Sequence, residues 1–355
     1  MKATLFEEFG AADVLVAREV PTPVPGADEV LIRLEWAALN HLDLDIRSGV
    51  SGMAVRLPHI PGTEGVGIIS ALGSAVSRWR VGQRVGTYAF RTCRVCSNCR
   101  LGRQNMCLDI STLGGQRQGA YAESIVVRED QLVAVPDDVS LQAAIASYKF
   151  ATAWEALVVT AALQPGETVL VTGAGGGVGV SAVILARHLG ADVIAATSSE
   201  EKNARLRALG ATHVVNYRND DFAGAVRRLT AGSGVDVVFD VAAGQGLRHA
   251  IAATRPGGRV AVVGAHAGER VEIDMLDLFR RHVAIHGCGR YTTPILETVF
   301  AQLGKGLAPP PVHATFALGD AQAAHRLMES REFFGRLLLY CGAGPLPAPH
   351  DLVQS

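Results

Sequence analysis

Apolar residues follow two rhythms along this chain. Up to about residue 150 they form short runs, among them Glu29–Leu34, Gly65–Leu72 and Glu123–Val127, with Gly and Pro between them. Short runs bounded by turn formers predict β-strands, here gathered in a partly closed barrel. Beyond that point strand-like and helix-like segments alternate. Val169–Thr172 predicts a strand, and Val178 to Leu189 a helix stopped by Gly190. Strand Val193–Thr197, helix Glu200–Leu209, strand His213–Asn216, helix Phe222–Leu229, strand Val235–Val241, a further helix and strand Arg259–Gly264 follow. Such alternation predicts an α/β fold with a parallel sheet covered by helices on both faces. Later come helices over Ile295–Leu303 and Asp320–Glu329 and a strand over Arg336–Tyr340, and the residues from 341 to 355 read as a loose tail.

At 355 residues the chain is long enough for two domains. Its net charge of -1 carries no basic footprint for nucleic acid and no polybasic membrane patch. The opening MKATLFEEFG has no apolar signal region. Thr168 to Ala186 carries no charge, but five glycines interrupt it, so strand, turn and helix explain it better than a membrane span.

Cysteine placement adds chemistry. Of six cysteines, Cys93, Cys96, Cys99 and Cys107 cluster as C-x2-C-x2-C-x7-C, while Cys288 and Cys341 stand apart. Four thiolates at that spacing suit one tetrahedral zinc, closed on all sides by protein. A clustered set with no spread framework points to a reducing compartment, the cytoplasm.

The segment ETVLVTGAGGGVG, Glu167 to Gly179, sets Gly173, Gly176 and Gly179 between a strand and a helix. Missing side chains let the backbone approach a pyrophosphate, and the helix N-terminus offers free N–H groups. Gly177 and Val178 belong to the same loop, and Gly264 ends a later strand. After the next strand stand Thr197, Ser198 and Ser199 rather than an acid, with Lys202 one turn on. An acid would grip a ribose 2′-hydroxyl; hydroxyls and a cation suit a 2′-phosphate. NADPH is therefore favoured over NADH. Ser198 and Glu201 are also spaced as a helix capping box.

From Pro25 to about Tyr340 the chain resembles the medium-chain dehydrogenase/reductase superfamily. The matching pieces are Ala38–Gly49, Pro61–Gly67, the cysteine lobe from Gly86 to Cys107, and Glu167–Gly179. The resemblance implies a Rossmann domain over residues 150–289. It implies a GroES-like catalytic domain from residues 1–149 and 290–340, with a zinc lobe over 86–107. It also implies that Ser198, Lys202 and Tyr217 contact the 2′-phosphate, that Thr152 packs near the nicotinamide, and that the protein pairs as a homodimer through His282–Gly287. Arg336 follows Gly335 where relatives carry Gly-Lys near the cofactor, and a surface cation explains it equally.

Zinc alcohol dehydrogenases of this superfamily hold a second, catalytic zinc. By resemblance its three ligand positions fall here on Asn40, Thr63 and Tyr148. Asn and Thr are neutral oxygen donors, and a phenol loses its proton only near pH 10. A catalytic zinc is thus not expected, whereas one structural zinc per chain is. Without a Lewis acid, alcohol oxidation is disfavoured. The pattern resembles the quinone oxidoreductases and alkene reductases, which imply hydride transfer to an activated double bond of a small molecule. Tyr148, Asn40 and Asp45 are the candidate donors, with Thr63 and Glu64 lining the emptied metal pocket. Tyr148 as a core aromatic and Asp45 as a partner of Arg47 are the bland alternatives. An alcohol or ketone dehydrogenase and a cofactor-binding protein with little catalysis remain as competing functions.

Overall fold

The computed structural model describes residues 1–217 and 222–347. The chain divides into two compact units, Met1–Tyr148 with Thr292–Ser355, and Lys149–Tyr291. Part of the tail, residues 348–355, lies outside the described residues.

The first unit is β-rich. Strands β1 (Lys2–Leu5) and β2 (Val16–Glu19) form a two-stranded sheet. β3 (Glu29–Ala38), β4 (Glu64–Leu72), β5 (Arg84–Thr87), β8 (Ser124–Arg128) and β9 (Leu132–Ala134) belong to a larger one. Between them, β6 (Phe90–Thr92) and β7 (Ile110–Thr112) pair with each other. β3 is the hub. One edge of it pairs with β4; the other pairs with β8 over Glu29–Arg33 and with β17 (Arg336–Tyr340) over Trp36–Ala38. Register shifts at Leu31/Ile32 and Leu34/Trp36 break the β3–β4 ladder, and such irregularities bend a sheet. β16 (Val312–Ala317) extends the sheet beside β17. The alternating residues Val30, Ile32 and Leu34 are fully buried, so one face of β3 is core. Helix α1 (His41–Ser48) follows β3 and ends at Gly49, whose φ of 81° is the left-handed conformation of a helix stop. Helix α11 (Ala321–Ser330) buries Ala321, Ala324, His325 and Met328, the i, i+3, i+4, i+7 stripe of an amphipathic helix.

The second unit is a six-stranded parallel sheet in the order β12-β11-β10-β13-β14-β15. Its strands are β10 (Thr168–Val171), β11 (Asp192–Thr197), β12 (His213–Asn216), β13 (Val235–Asp240), β14 (Thr254–Val262) and β15 (Ala284–Gly287). The order reverses at β10, between β11 and β13, and such a switch point is where doubly wound folds bind ligands. Val169–Val171 and Val237–Phe239 are fully buried, as strands covered on both faces must be. The crossover helices include α5 (Gly177–His188), α6 (Glu201–Ala208), α7 (Phe222–Leu229) and α8 (Gly244–Ala253). The α/β class, the Rossmann-like parallel sheet and the GroES-like β domain expected from sequence are all present.

Two local expectations change, and one feature is new. β3 runs four residues past the expected Leu34. Helix α6 starts at Glu201 with Glu200 before it and no side-chain cap, so Ser198 forms no capping box. The helix α4 (Tyr148–Trp154) continues as a π-helical stretch over Glu155–Thr160. Among the described residues no helix is long and apolar enough to cross a membrane.

Candidate functional site

The cysteine lobe is built locally. Cys93, Cys96, Cys99 and Cys107 bring their sulfurs within 4.8 Å of one another. Four sulfurs about 2.3 Å from one ion stand about 3.8 Å apart. The Cys93–Cys107 and Cys93–Cys99 separations, 3.5 and 4.0 Å, bracket that value. Arg94 takes a φ of 66°, which turns the chain between the first two ligands. Backbone N–H groups of Cys96 and Cys93 donate to the sulfurs of Cys93 and Cys107, each at 3.3 Å. Those of Leu108 and Cys99 hold the Cys96 thiol down at about 6. The lobe is anchored by Arg94, which pairs with Asp28 and Asp130 at 3.1 and 3.2 Å.

A second cluster lies at the ends of β3, β4 and β17. Asn40 precedes α1, Thr63 and Glu64 open β4, and Arg336 opens β17. Asn40 Nδ2 donates to Thr63 Oγ1 at 2.8 Å. Arg336 Nη1 donates to Asn40 Oδ1 at 3.3 Å, and Arg336 Nη2 to Glu64 Oε2 at 2.5 Å. Arg336 and Glu64 are each 3% exposed. The surface-cation reading of Arg336 is therefore wrong: the guanidinium is buried because β17 delivers it beside a buried carboxylate. Sequence gave no sign of this pair, whose members are 272 positions apart.

Tyr148 is completely buried, its ring edge against Phe300. Its phenol donates to the Gly65 carbonyl at 3.0 Å. Burial, and then the nearby Glu64 charge, push the phenol well above its usual range. Gly86 makes room, since a Cβ there would lie 2.4 Å from the phenol oxygen. The arrangement is that of a core aromatic. Asp45 is half-buried on α1, and Arg47 turns instead to His325 and Glu329.

In the second unit, β10 leads into the glycine loop and α5. Gly173 has a φ of 57°, and Gly176 stands before α5 in an extended conformation. A Cβ on Gly179 would lie 2.4 Å from the Gly173 oxygen, so only glycine lets the helix approach the loop. Gly177 and Val178 form the first turn of α5, with the open N–H groups of a helix start. Lys202 reaches back to this loop, its Cδ 2.7 Å and Nζ 3.4 Å from where a Gly175 Cβ would stand. Burial, and then Arg205, lower the affinity of that ammonium for its proton. Ser198 follows β11, and Tyr217 follows β12, where the Tyr217 N–H donates to Thr197 O at 3.2 Å. Ser198 and Tyr217 thus leave neighbouring strand ends. Gly264 lies just past β14, against the Val241 carbonyl. Thr152 sits half-buried on α4.

Sequence reading passed over Asp240, which is fully buried at the end of β13. Its carboxylate accepts from the Thr172 hydroxyl and the Ala243 N–H, both at 2.6 Å, and burial raises its pKa. It ties β10 to β13 at the switch point. An acid closing the apolar run Val237–Phe239 was the available signal.

Comparison with known proteins agrees with this architecture. Residues 26–137 match the alcohol dehydrogenase GroES-like domain, and residues 177–305 match the zinc-binding dehydrogenase family. An L-threonine 3-dehydrogenase from an Anaeromyxobacter species is 30% identical over 96% of this chain and 100% of its own length. The chain belongs to the medium-chain dehydrogenase/reductase superfamily. A 2-haloacrylate reductase from a Burkholderia species, 30% identical, covers 95% of the chain and 98% of itself. A crystal structure of an NAD-dependent alcohol dehydrogenase superposes with a TM-score of 0.92 at 37% identity, covering 96% of this chain and 100% of that one.

As a medium-chain dehydrogenase/reductase, the protein is an NAD(P)H-dependent oxidoreductase. Its glycine loop and helix start fit a dinucleotide, and its cysteine lobe fits one zinc. The superfamily's catalytic zinc does not fit. The positions that the resemblance assigns to its ligands hold an amide, a hydroxyl and a buried phenol, and the first two bond directly to each other. A cation, Arg336, already donates to Asn40. Among the described residues the four cysteines are the one group of three or more His, Cys, Asp or Glu side chains able to hold a metal.

Proposed function

We propose that this enzyme uses NADPH to reduce an activated carbon–carbon double bond, with no catalytic metal. The supporting observation is the hydrogen-bonded run from Arg336 through Asn40 to Thr63. The guanidinium donates to the Asn40 oxygen, which polarises the amide, and the amide donates to the Thr63 hydroxyl. Aligned bonds strengthen one another in a buried setting. Thr63 is 5% exposed, and its hydrogen goes to no described residue. It is the donor this reading aims at the oxygen of an enone or unsaturated acyl group as negative charge develops there. Glu64 holds Arg336 in place. Bound NADPH supplies the hydride. Gly173, Gly176, Gly177, Val178 and Gly179 hold its pyrophosphate, while Ser198, Lys202 and Tyr217 take the 2′-phosphate. Gly264 and Thr152 face the nicotinamide end. Tyr148, whose hydrogen is committed to Gly65, holds β4 rather than delivering a proton.

The name of the haloacrylate reductase supports a double-bond substrate. The names of the threonine and alcohol dehydrogenases keep oxidation of an alcohol as the second reading. Four thiols kept ready for zinc favour the cytoplasm. Edge strand β15, with Met275, Leu276 and Phe279 exposed nearby, favours a homodimer.

The test is a substrate screen on metal-counted protein. Enones, unsaturated acyl thioesters, quinones, aldehydes and ketones are offered with NADPH or NADH. Reduction of conjugated double bonds with one zinc per chain, faster with NADPH, is the expected result. Turnover of saturated ketones alone, or a second zinc whose removal stops the reaction, sinks the proposal.

A further inference from the structure

A second buried chain of hydrogen bonds crosses the first unit and serves no step described above. Arg47 Nη1 lies 3.1 Å from His325 Nδ1, and His325 Nε2 lies 3.2 Å from the Tyr121 oxygen. Tyr121 donates to Asp43 Oδ2 at 3.2 Å, and the same oxygen accepts the Asn40 backbone N–H at 2.9 Å. Asp43, Tyr121 and His325 are fully buried, and Arg47 is 3% exposed.

The direction of every bond follows from the groups. A guanidinium only donates, so His325 Nδ1 accepts and carries no hydrogen. In a neutral imidazole the hydrogen then sits on Nε2 and is given to the Tyr121 oxygen. The phenol hydrogen is left for the Asp43 carboxylate. Burial, and then the Arg47 charge, hold His325 down at about 3, so the ring stays neutral at working pH. Arg47 also binds Gly10 O at 3.1 Å and Glu329 at 2.6 Å. Three separate stretches of chain are thereby fixed around α1: Gly10, the segment before β8, and α11.

The chain ends on the Asn40 backbone, at the middle of the Arg336–Asn40–Thr63 run. Asn40 and Thr63 are weak metal donors, so contacts within the protein must set their geometry. We propose that Tyr121 and His325 are positioning residues, which with Arg47 and Asp43 clamp the first turn of α1 and so aim Asn40 at Thr63. The proposal rests on the reading of Asn40 as a reaction-site residue.

The experiment compares Tyr121→Phe, His325→Leu and His325→Gln with the wild type, all as full-length enzyme with NADPH. The substrate is whichever one the wild type turns over best. Hydrogen exchange of the 41–48 amides is followed in parallel. Small misplacement of reacting groups costs up to about a hundredfold in rate. Tyr121→Phe and His325→Leu are expected to lower kcat by about tenfold or more, with NADPH affinity unchanged. Exchange in α1 should quicken more than elsewhere in the same unit. Gln can accept from Arg47 and donate to Tyr121, so His325→Gln should regain most of kcat. Wild-type kcat and α1 exchange in a folded Tyr121→Phe protein overturn the clamp. So does an even rise in exchange with Gln no better than Leu, the mark of general destabilisation. If the wild type reduces only saturated carbonyls, the double-bond proposal fails while kcat and exchange still decide the clamp.

Discussion

The cysteine lobe and the Asn40 pocket are the two places where the resemblance looks for zinc, and they are made of opposite materials. The lobe offers four soft thiolates brought together by a single loop, its ends 14 positions apart. The pocket offers neutral oxygens and one carboxylate, Glu64, already paired with a cation, and its Arg336–Asn40 bond spans 296 positions. A metal site is thus recognised by its donors and not by its place in the fold. In the lobe the donors invite an ion and repel one another without it. In the pocket most of them satisfy one another, with Arg336 Nε left over, and the added cation opposes a dication.

Disabling the lobe's thiol set gives the sharpest test of that contrast. Cys99→Ser leaves three thiolates, and structural zinc sites contribute folding energy outright. The expected loss of stability is upward of about 5 kcal/mol, or no folded protein at all. Zinc content should fall from one per chain to near zero, measured by elemental analysis beside chemical unfolding. A folded Cys99→Ser enzyme that keeps one zinc would place the ion elsewhere and erase the difference between the two regions.

The pocket predicts a smaller loss that is recoverable. Arg336→Leu leaves Glu64 buried without its cation, which costs about 3–5 kcal/mol. Removing both charges, as in Glu64→Leu with Arg336→Leu, should restore most of that stability, because desolvating two charges consumes much of what their attraction returns. Urea unfolding of the singles and the double measures the coupling. Zinc content stays at one per chain throughout. If the double mutant is as unstable as the single, the pair contributes more than mutual neutralisation.

The same contrast explains what could be read without coordinates. The cysteines, the glycine loop and the strand–helix alternation are local patterns, and spacing carries them. Gly173, Gly176 and Gly179 announce a tight turn because their neighbours in sequence are their neighbours in space. Arg336 gives no such signal: beside Gly335 it reads as any turn-flanking cation, and only the pairing of β17 with β3 shows that it is buried. His325 is similar. It lies on the buried stripe of α11, yet Arg47 and Tyr121, 278 and 204 positions away, decide what it does. Ser198 misled in the other direction, since its capping spacing is local and real but the helix begins later.

Tyr148 marks the smallest expected effect and the finest test of the pocket. It stands at a catalytic-metal position by resemblance, so a role in proton delivery was the natural expectation. Its hydrogen, however, points to the Gly65 carbonyl at 3.0 Å, and the ring is sealed against Phe300. Tyr148→Phe keeps the ring and deletes the hydroxyl. The carbonyl keeps the Thr87 hydroxyl as a donor, so the lost bond costs about 0.5–1.5 kcal/mol. The rate at saturating substrate should stay within about threefold of wild type, well short of the roughly 10²–10⁴-fold that general acid help supplies. Thermal unfolding and kcat on the same preparation separate the two roles. A stable Tyr148→Phe enzyme with kcat down a hundredfold would return the phenol to the chemistry and leave Thr63 a supporting group.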